Sequence, residues 1–155
     1  MAIYKTLEEL RAEKLDNHAA NHKGYFDYKY KVKPPKSAAQ LETLVQEYVH
    51  LSGGICTKVV VAGREITNKT FVTDVLGRKN SITNSTFIPS PVTKGTSDLI
   101  IGINGQIMYC EIKFSKHDRQ SAKQKEFQQA VELAGCYYVI AHTLKEFITI
   151  FNEWK

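Results

Sequence analysis

The sequence is poor in the features that mark secreted, membrane-bound and zinc-binding proteins. Its three cysteines, Cys56, Cys110 and Cys136, are odd in number and widely spaced, with no Cys-x-x-Cys pair. This pattern favours reduced thiols and argues against a disulfide framework or a zinc module. No apolar run reaches the length of a membrane span, and the first residues lack the apolar core of a signal peptide. We therefore expect a cytoplasmic protein with no membrane partner.

The chain also lacks internal repeats, and its 155 residues fit a single domain. The 21 Lys and Arg residues outnumber the 16 Asp and Glu residues, and the resulting net charge of +5 favours a polyanionic partner. Residues 1–36 are basic and rich in tyrosine, with a short helix expected near Leu7 to Leu15. We predict that they form a loosely attached extension ahead of a domain at 37–155. Three of its tyrosines (Tyr25, Tyr28 and Tyr30) could bind nucleic acid, or cover the core or a dimer partner.

Apolar periodicity over residues 37–155 predicts the element order α, β, β, β, α, β, α. The first helix follows a Ser37 cap and precedes a strand at 55–61, and a later helix at 121–134 leads into an apolar strand at 136–141. Such a crossover places the last strand parallel to its neighbour. We predict an α/β fold with a mixed sheet flanked by helices. The final helix, capped by Thr143, carries three aromatic side chains that could form a homodimer contact (Phe147, Phe151 and Trp154).

Residues 62–94 resemble a long, partly mobile loop, with only residues 70–76 predicted to form a strand. Loops of that length usually have a function. The basic residues of this loop either bind the phosphates on each side of a scissile bond or simply keep the loop soluble. The basic residues that could make such contacts are Arg64, Lys69, Arg78, Lys79 and Lys94.

The strongest local signal is a predicted β-hairpin with Asn104-Gly105 as its turn. Both residues tolerate the positive φ angles that a type I′ turn requires. Counting outward from the turn pairs Ile101 with Met108 and Asp98 with Glu111. The two carboxylates would then lie about 4.5–5.5 Å apart at Cβ, an arrangement that is destabilising unless a positive charge lies between them.

A divalent cation would relieve this repulsion, and hard oxygen ligands favour Mg²⁺ or Mn²⁺. The backbone carbonyl of Ile112 is a further candidate ligand, and Lys113 projects to the same face as Glu111. A metal and an ammonium group at one place could support phosphodiester hydrolysis. The alternative is that Asp98 is a turn residue and that Glu111 and Lys113 lie on a solvated face.

These residues resemble the PD-(D/E)xK nuclease superfamily, and most closely its VRR-NUC group. The resemblance covers residues 37–151 and depends on Gly95-Thr96-Ser97-Asp98, Glu111-Ile112-Lys113 and Gln124-Lys125-Glu126-Phe127. It implies a restriction-endonuclease-like αβββαβ core, in which Asp98 and Glu111 bind the metal and Lys113 acts on the attacking water. Gln124 would support the site, although it also fits a capping box with Ser121.

The helix before the first strand departs from the family pattern. Relatives tend to carry an acidic residue there, whereas this chain has Ala38 or Ala39 at the corresponding position. Glu42 and Glu47 lie further along the helix, and either could reach the site or remain a solvated charge. We select Glu42 as a further metal ligand, and the number of metal ions stays open.

The sequence thus predicts a Mg²⁺- or Mn²⁺-dependent endonuclease that acts on DNA. A small domain offers little surface for sequence recognition, so we expect it to select branched DNA by shape. Some compact relatives cut Holliday junctions as homodimers, and a phage or mobile element would be a suitable source. The alternatives are a nuclease for single strands, flaps or RNA, and a catalytically silent nucleic-acid-binding accessory protein.

Overall fold

The computed structural model describes residues 4–21, 32–73, 75–115 and 117–155. The chain divides into two compact units, one of Met1–Val59 with Gly95–Lys155 and the other of Val60–Lys94. Among the described residues, no helix is both long and apolar enough to cross a membrane. The elements in chain order are α1 (Leu7–Asn21), α2 (Ala38–Leu51), β1 (Ile55–Lys58), β2 (Arg64–Thr73), β3 (Lys79–Ile88), β4 (Leu99–Ile103), β5 (Gln106–Ile112), α3 (Ala122–Leu133), β6 (Tyr137–Ala141) and α4 (Leu144–Trp154).

The larger unit contains a four-stranded mixed sheet in the order β1-β4-β5-β6. The pairs β1–β4 and β4–β5 are antiparallel, whereas β5–β6 is parallel. The α/β class, the mixed sheet and the parallel last strand are therefore confirmed. Strand β1 ends at Lys58 rather than at residue 61.

The core lies on one face of this sheet. Side chains of a β-strand alternate between faces, and on this face Ile101, Cys110 and Ala141 are fully buried. They pack in one cluster with α2, including Leu41 and Val45. On the opposite face, the ring of Tyr109 meets Phe127 of α3 edge to face. The sheet is therefore covered by helices on both faces.

Helix α1 is an integral part of the larger unit, so the loose attachment predicted for residues 1–36 is wrong for this segment. Leu7 is 2% exposed and belongs to the core cluster. The Arg11 guanidinium donates to both carboxylate oxygens of Glu47, each at 2.6 Å. The Tyr48 hydroxyl donates to the carbonyl of Lys5 at 3.0 Å. Tyr25, Tyr28 and Tyr30 lie outside the described residues.

The aromatic side chains of α4 pack inward rather than outward. Phe147 and Phe151 are fully buried, and Tyr48 meets their rings edge to face at centroid distances of 6.4 and 5.9 Å. Trp154 is partly buried and stacks on Tyr137. Phe147 and Phe151 are therefore not free to make the predicted contact, because the apolar stripe of α4 covers the core. A homodimer stays a prediction. In α3, Val131 is buried and Ala130 is exposed.

Residues 60–94 form a β-hairpin rather than a long loop. Strands β2 and β3 pair antiparallel from Arg64 with Ile88 to Thr73 with Lys79, and Gly77 adopts a positive φ of 78° where the chain turns. The predicted strand at 70–76 overlaps only the end of β2, and β3 was not predicted. Asn, Ser and Lys separate the β-branched residues of both strands, and these residue types have low strand propensity.

Candidate functional site

The turn and register of the β4–β5 hairpin agree with the sequence prediction. Asn104 and Gly105 have φ angles of 51° and 78°, as a type I′ turn requires. The ladder pairs Ile103 with Gln106, Ile101 with Met108 and Leu99 with Cys110. Extended by one position, this register sets Asp98 opposite Glu111, just beyond the last ladder pair.

Asp98 is held in place through both its backbone and its side chain. Its carboxylate Oδ2 accepts a hydrogen bond from the backbone N–H of Ile112 at 2.8 Å. Its carbonyl accepts from the N–H of Val59, also at 2.8 Å. The preceding residue, Ser97, is fully buried, and its hydroxyl donates to the carbonyl of Leu99. This partly buried carboxylate is therefore fixed at the end of the strands β4 and β5.

Glu111 is a buried carboxylate with two differently bonded oxygens. The side chain is 2% exposed, and Oε1 accepts from Lys113 Nζ at 2.8 Å and from Gln124 Nε2 at 2.5 Å. Oε2 is buried and has no hydrogen-bond partner among the described residues. Burial raises the pKa of Glu111 above its usual range; the hydrogen bond from Lys113 lowers it in part, and the negative charge of Asp98 raises it further.

Gln124 joins the helix cap to this cluster. The Ser121 hydroxyl accepts from the Gln124 backbone N–H, and Gln124 Oε1 accepts from the Ser121 N–H at 2.8 Å. The same Oε1 accepts from Lys113 Nζ at 3.3 Å, while Nε2 donates to Glu111. The predicted capping box is therefore confirmed, and the side chain contacts Glu111 and Lys113 at the same time. A supporting role of Gln124 in a reaction stays a prediction.

The two helix glutamates are engaged elsewhere. Glu47 is bound by Arg11, and Glu42 forms an ion pair with Lys58. Lys58 pairs with Leu99 in the β1–β4 ladder, so it lies on the sheet face opposite Glu111. In the described part of the chain, no three His, Cys, Asp or Glu side chains gather into a possible metal site. The structure does not bring Glu42 to Asp98 and Glu111, and metal binding by Glu42 stays a prediction.

Glu42 nevertheless has an indirect electrostatic link to the site. The hydrogen bond and charge of Glu42 raise the pKa of Lys58, and the charge of Asp98 adds to this effect. The charges of Glu42 and Asp98 therefore both act on Lys58. Ile112, whose carbonyl is a predicted ligand, contributes its N–H to Asp98 and pairs with Ala141 of β6. The role of its carbonyl stays a prediction.

His142 was not identified from the sequence, yet it contacts the backbone of Lys113. Its ring Nδ1 lies 2.7 Å from the carbonyl oxygen of Lys113. Since a carbonyl can only accept, Nδ1 carries the proton in this contact. The N–H of Lys113 also donates to the carbonyl of Ala141. A signal existed in the sequence, because His142 directly follows the strand expected to lie parallel to β5.

Tyr138 is a further buried side chain with a polar group near the cluster. It lies opposite Tyr109 in the β5–β6 register, and therefore on the face that carries Glu111. Burial raises the pKa of Tyr138 to about 12, with a contribution from the charge of Glu111. The hydroxyl therefore stays protonated at neutral pH. The sequence prediction treated this residue only as part of an apolar strand.

The five basic residues predicted to bind nucleic acid all belong to the smaller unit. Arg64 and Lys69 lie on β2 and Lys79 on β3, whereas Arg78 and Lys94 lie outside the strands. The register puts Lys69 and Lys79 on one face of the hairpin and Arg64 on the other. Their binding to phosphate stays a prediction.

The donor set fits a hard divalent cation. Mg²⁺ is usually bound through one or two carboxylates, with water and substrate phosphates completing its shell. Asp98 and Glu111 provide two carboxylates, and Oε2 of Glu111 is a buried oxygen with no hydrogen-bond partner in the described part of the chain. Comparison with known proteins adds no assignment, because no family model, curated protein or solved structure matches this chain.

Proposed function

We propose that this chain is a Mg²⁺- or Mn²⁺-dependent endonuclease that hydrolyses phosphodiester bonds in DNA. In this proposal it is a VRR-NUC protein of the PD-(D/E)xK superfamily with a restriction-endonuclease-like core. The observation that carries the proposal is the buried Glu111 carboxylate, whose Oε1 accepts from Lys113 while Oε2 has no hydrogen-bond partner among the described residues. A purely structural ion pair would not require a second carboxylate, whereas here Asp98 lies opposite Glu111 in the extended register and its charge acts on that carboxylate.

Each residue of the cluster has a distinct role in the proposal. Asp98 and Glu111 would hold the cation, which when bound would supply Lewis-acid stabilisation of charge on the phosphate and a more acidic water. Lys113 directs its ammonium N–H groups to the attacking water or to the developing oxyanion. Gln124 holds the side chains of Lys113 and Glu111 in register. His142 fixes the backbone carbonyl of Lys113.

The substrate in this proposal is DNA with a branch, such as a Holliday junction, recognised by shape. The net charge of +5 and the five basic residues of the smaller unit support binding to a polyanion. Flaps, single strands and RNA are the alternative nuclease substrates.

A catalytically silent DNA-binding accessory protein is the second candidate function. It is favoured by one observation, that no third acidic side chain joins Asp98 and Glu111 among the described residues. A site with two protein carboxylates depends more heavily on the substrate phosphate for metal binding. The nuclease would cleave its substrate and the accessory protein would not, so a cleavage assay distinguishes the two candidates.

The test is cleavage of end-labelled four-way junction, flap, linear duplex, single-stranded DNA and RNA, each with Mg²⁺, Mn²⁺ or EDTA. The proposal predicts cutting of the junction with metal, no cutting in EDTA, and loss of cutting in Lys113→Ala. Lys145→Ala is the matched control, because Lys145 is an exposed lysine on α4. Tight binding of every substrate without metal-dependent cutting would refute the nuclease and favour the accessory protein.

A further inference from the structure

The β2–β3 hairpin carries an exposed aromatic ring on a basic face. Phe71 is 72% exposed, and burying such a ring would be favourable if a suitable partner were present. Residues 60–94 contain five Lys and Arg residues against two acidic residues, Glu65 and Asp74, a net charge of +3. The unit is therefore attractive to a partner that combines negative charge with flat apolar surfaces.

The register places two lysines beside this ring. Lys69 precedes Phe71 by two positions and so shares its face at about 7 Å along the strand. Phe71 pairs with Ser81, and Lys79 is the diagonal neighbour on the partner strand, about 7–8 Å away. The other residues of the face near the ring are small and hydroxylated (Thr73, Ser81 and Thr83). The Phe71 ring thus has Lys69 and Lys79 as neighbours on its face and is exposed to solvent.

Single-stranded nucleic acid has the matching chemistry. Lysines contact its phosphates, and aromatic side chains stack on its bases. A base inside a duplex is already stacked on both sides, whereas an unpaired base has a free π face. We infer that the β2–β3 hairpin binds unpaired nucleotides of DNA, with a base stacked on Phe71 and phosphates on Lys69 and Lys79. This inference rests on the proposed function and adds to it a preference for branched DNA whose branch point exposes unpaired nucleotides.

The same face contains an internal control for this inference. Phe87 is 66% exposed, close to the value for Phe71, but its cross-strand partner is Glu65. A carboxylate beside the ring repels phosphate. The ring also lies against Gly63, since a methyl group added at Gly63 would come 2.4 Å from Cζ of Phe87. General apolar stickiness would involve both rings, whereas stacking supported by lysines involves Phe71 alone.

The test uses the full chain in EDTA, so that binding is measured without cleavage. The probes are a fluorescein-labelled oligo(dT), its RNA counterpart and a duplex of equal length, followed by anisotropy. Loss of one stacked base predicts that Phe71→Ala weakens oligo(dT) binding by about 5- to 150-fold, with a much smaller effect on the duplex. Phe71→Trp, which retains an aromatic ring, should bind oligo(dT) about as tightly as wild type. Phe87→Ala should change it less than about twofold, because no stacked base is lost there.

Equal affinities of wild type and Phe71→Ala for oligo(dT) would overturn the inference, as would equal losses in the Phe71→Ala and Phe87→Ala variants. A loss confined to the RNA probe would overturn it for DNA. A second copy of this chain is the other partner that could cover Phe71, and sedimentation of both variants measures the oligomeric state. A dimer that is abolished by Phe71→Ala, with unchanged oligo(dT) binding, would contradict the inference. Circular dichroism checks that each variant keeps its fold.

Junction and flap cutting in Mg²⁺ is measured in parallel. Metal-dependent cutting together with Phe71-independent oligo(dT) binding would refute the stacking inference and leave the nuclease intact. Phe71-dependent oligo(dT) binding without cutting would refute the nuclease and leave the hairpin as a single-strand binding element. The two proposals therefore fail in different ways.

Discussion

Lys113 Nζ lies 2.8 Å from Oε1 of Glu111, whereas Oε2 of the same carboxylate is buried with no partner among the described residues. One oxygen is thus compensated by an ammonium group, and among the described residues the other is not. An uncompensated buried oxygen is costly. We assign that oxygen to a divalent cation shared with Asp98.

Replacement of Glu111 by Gln should stabilise the protein at neutral pH in EDTA. The raised pKa of Glu111 means that the folded state holds this proton more tightly than the unfolded state, whose carboxyl titrates near 4.5. Stability is therefore lost as the pH rises from the unfolded pKa through the folded pKa. Thermal unfolding should show Glu111→Gln melting above wild type at pH 7, with no gain below about pH 4.

The size of that gain can be read from the melting temperature, since 1 kcal/mol corresponds to about 2–4 °C in a chain of this size. Metal-dependent cutting should be lost in the same variant. A melting temperature well below that of wild type at pH 7 would mean that the carboxylate has a structural role instead.

Two substitutions of Asp98 separate its charge from its hydrogen bond. Asn retains an oxygen that can accept from the N–H of Ile112, whereas Ala leaves that donor without its partner. Both should abolish metal-dependent cutting. Asp98→Asn should melt at or above wild type in EDTA, and Asp98→Ala should lose about 1–3 kcal/mol. Cutting that survives in Asp98→Asn would show that the charge is not needed.

Replacement of Gln124 by Glu separates helix capping from support of the site. Glu at this position preserves a capping box, but it sets a second carboxylate against Glu111. We expect unchanged helix content by circular dichroism and about 10- to 100-fold slower cutting, as found for residues that orient metal ligands. The pH at which the cutting rate rises should also be higher than in wild type, because a nearby negative charge raises the pKa of Glu111. Wild-type rate and pH profile would leave Gln124 with capping alone.

His142 should act by positioning Lys113 rather than by transferring a proton. Its Nδ1–H donates to the Lys113 carbonyl in both the neutral and the protonated ring. His142→Ala should slow single-turnover cutting by about tenfold, and His142→Asn, whose amide can donate from a similar place, should recover most of the rate. Failure of Asn to restore the rate, together with loss of an acidic limb from the pH profile, would indicate proton transfer by the ring.

Local signals allowed the hairpin to be predicted from sequence, and long-range packing explains what was missed. Asn104-Gly105 fixes a two-residue turn, and the turn alone sets the register that brings Asp98 near Glu111. The spacing of Phe147 and Phe151 identifies a stripe on α4, but periodicity cannot tell whether another element covers it. Burial of Leu7 depends on α2, which is remote in sequence.

The site shows the same division between local and distant information. Gln124 was found because its capping box is a contact over three residues. His142 reaches Lys113 only through the parallel pairing of β5 and β6, which the sequence specifies by topology rather than by a motif. The ion pairs of Glu42 and Glu47 depend on residues of β1 and α1. Two residues that look equivalent on one helix therefore have different partners.

The most direct test of the central claim is Mn²⁺ binding to the purified protein without nucleic acid, measured by electron paramagnetic resonance titration. Wild type should bind Mn²⁺, and Mg²⁺ should compete for the site. Binding should be lost in Asp98→Asn and in Glu111→Gln, and kept in Lys145→Ala. If Glu111→Gln binds Mn²⁺ as tightly as wild type, the buried Glu111 carboxylate is not a metal ligand and the account is wrong.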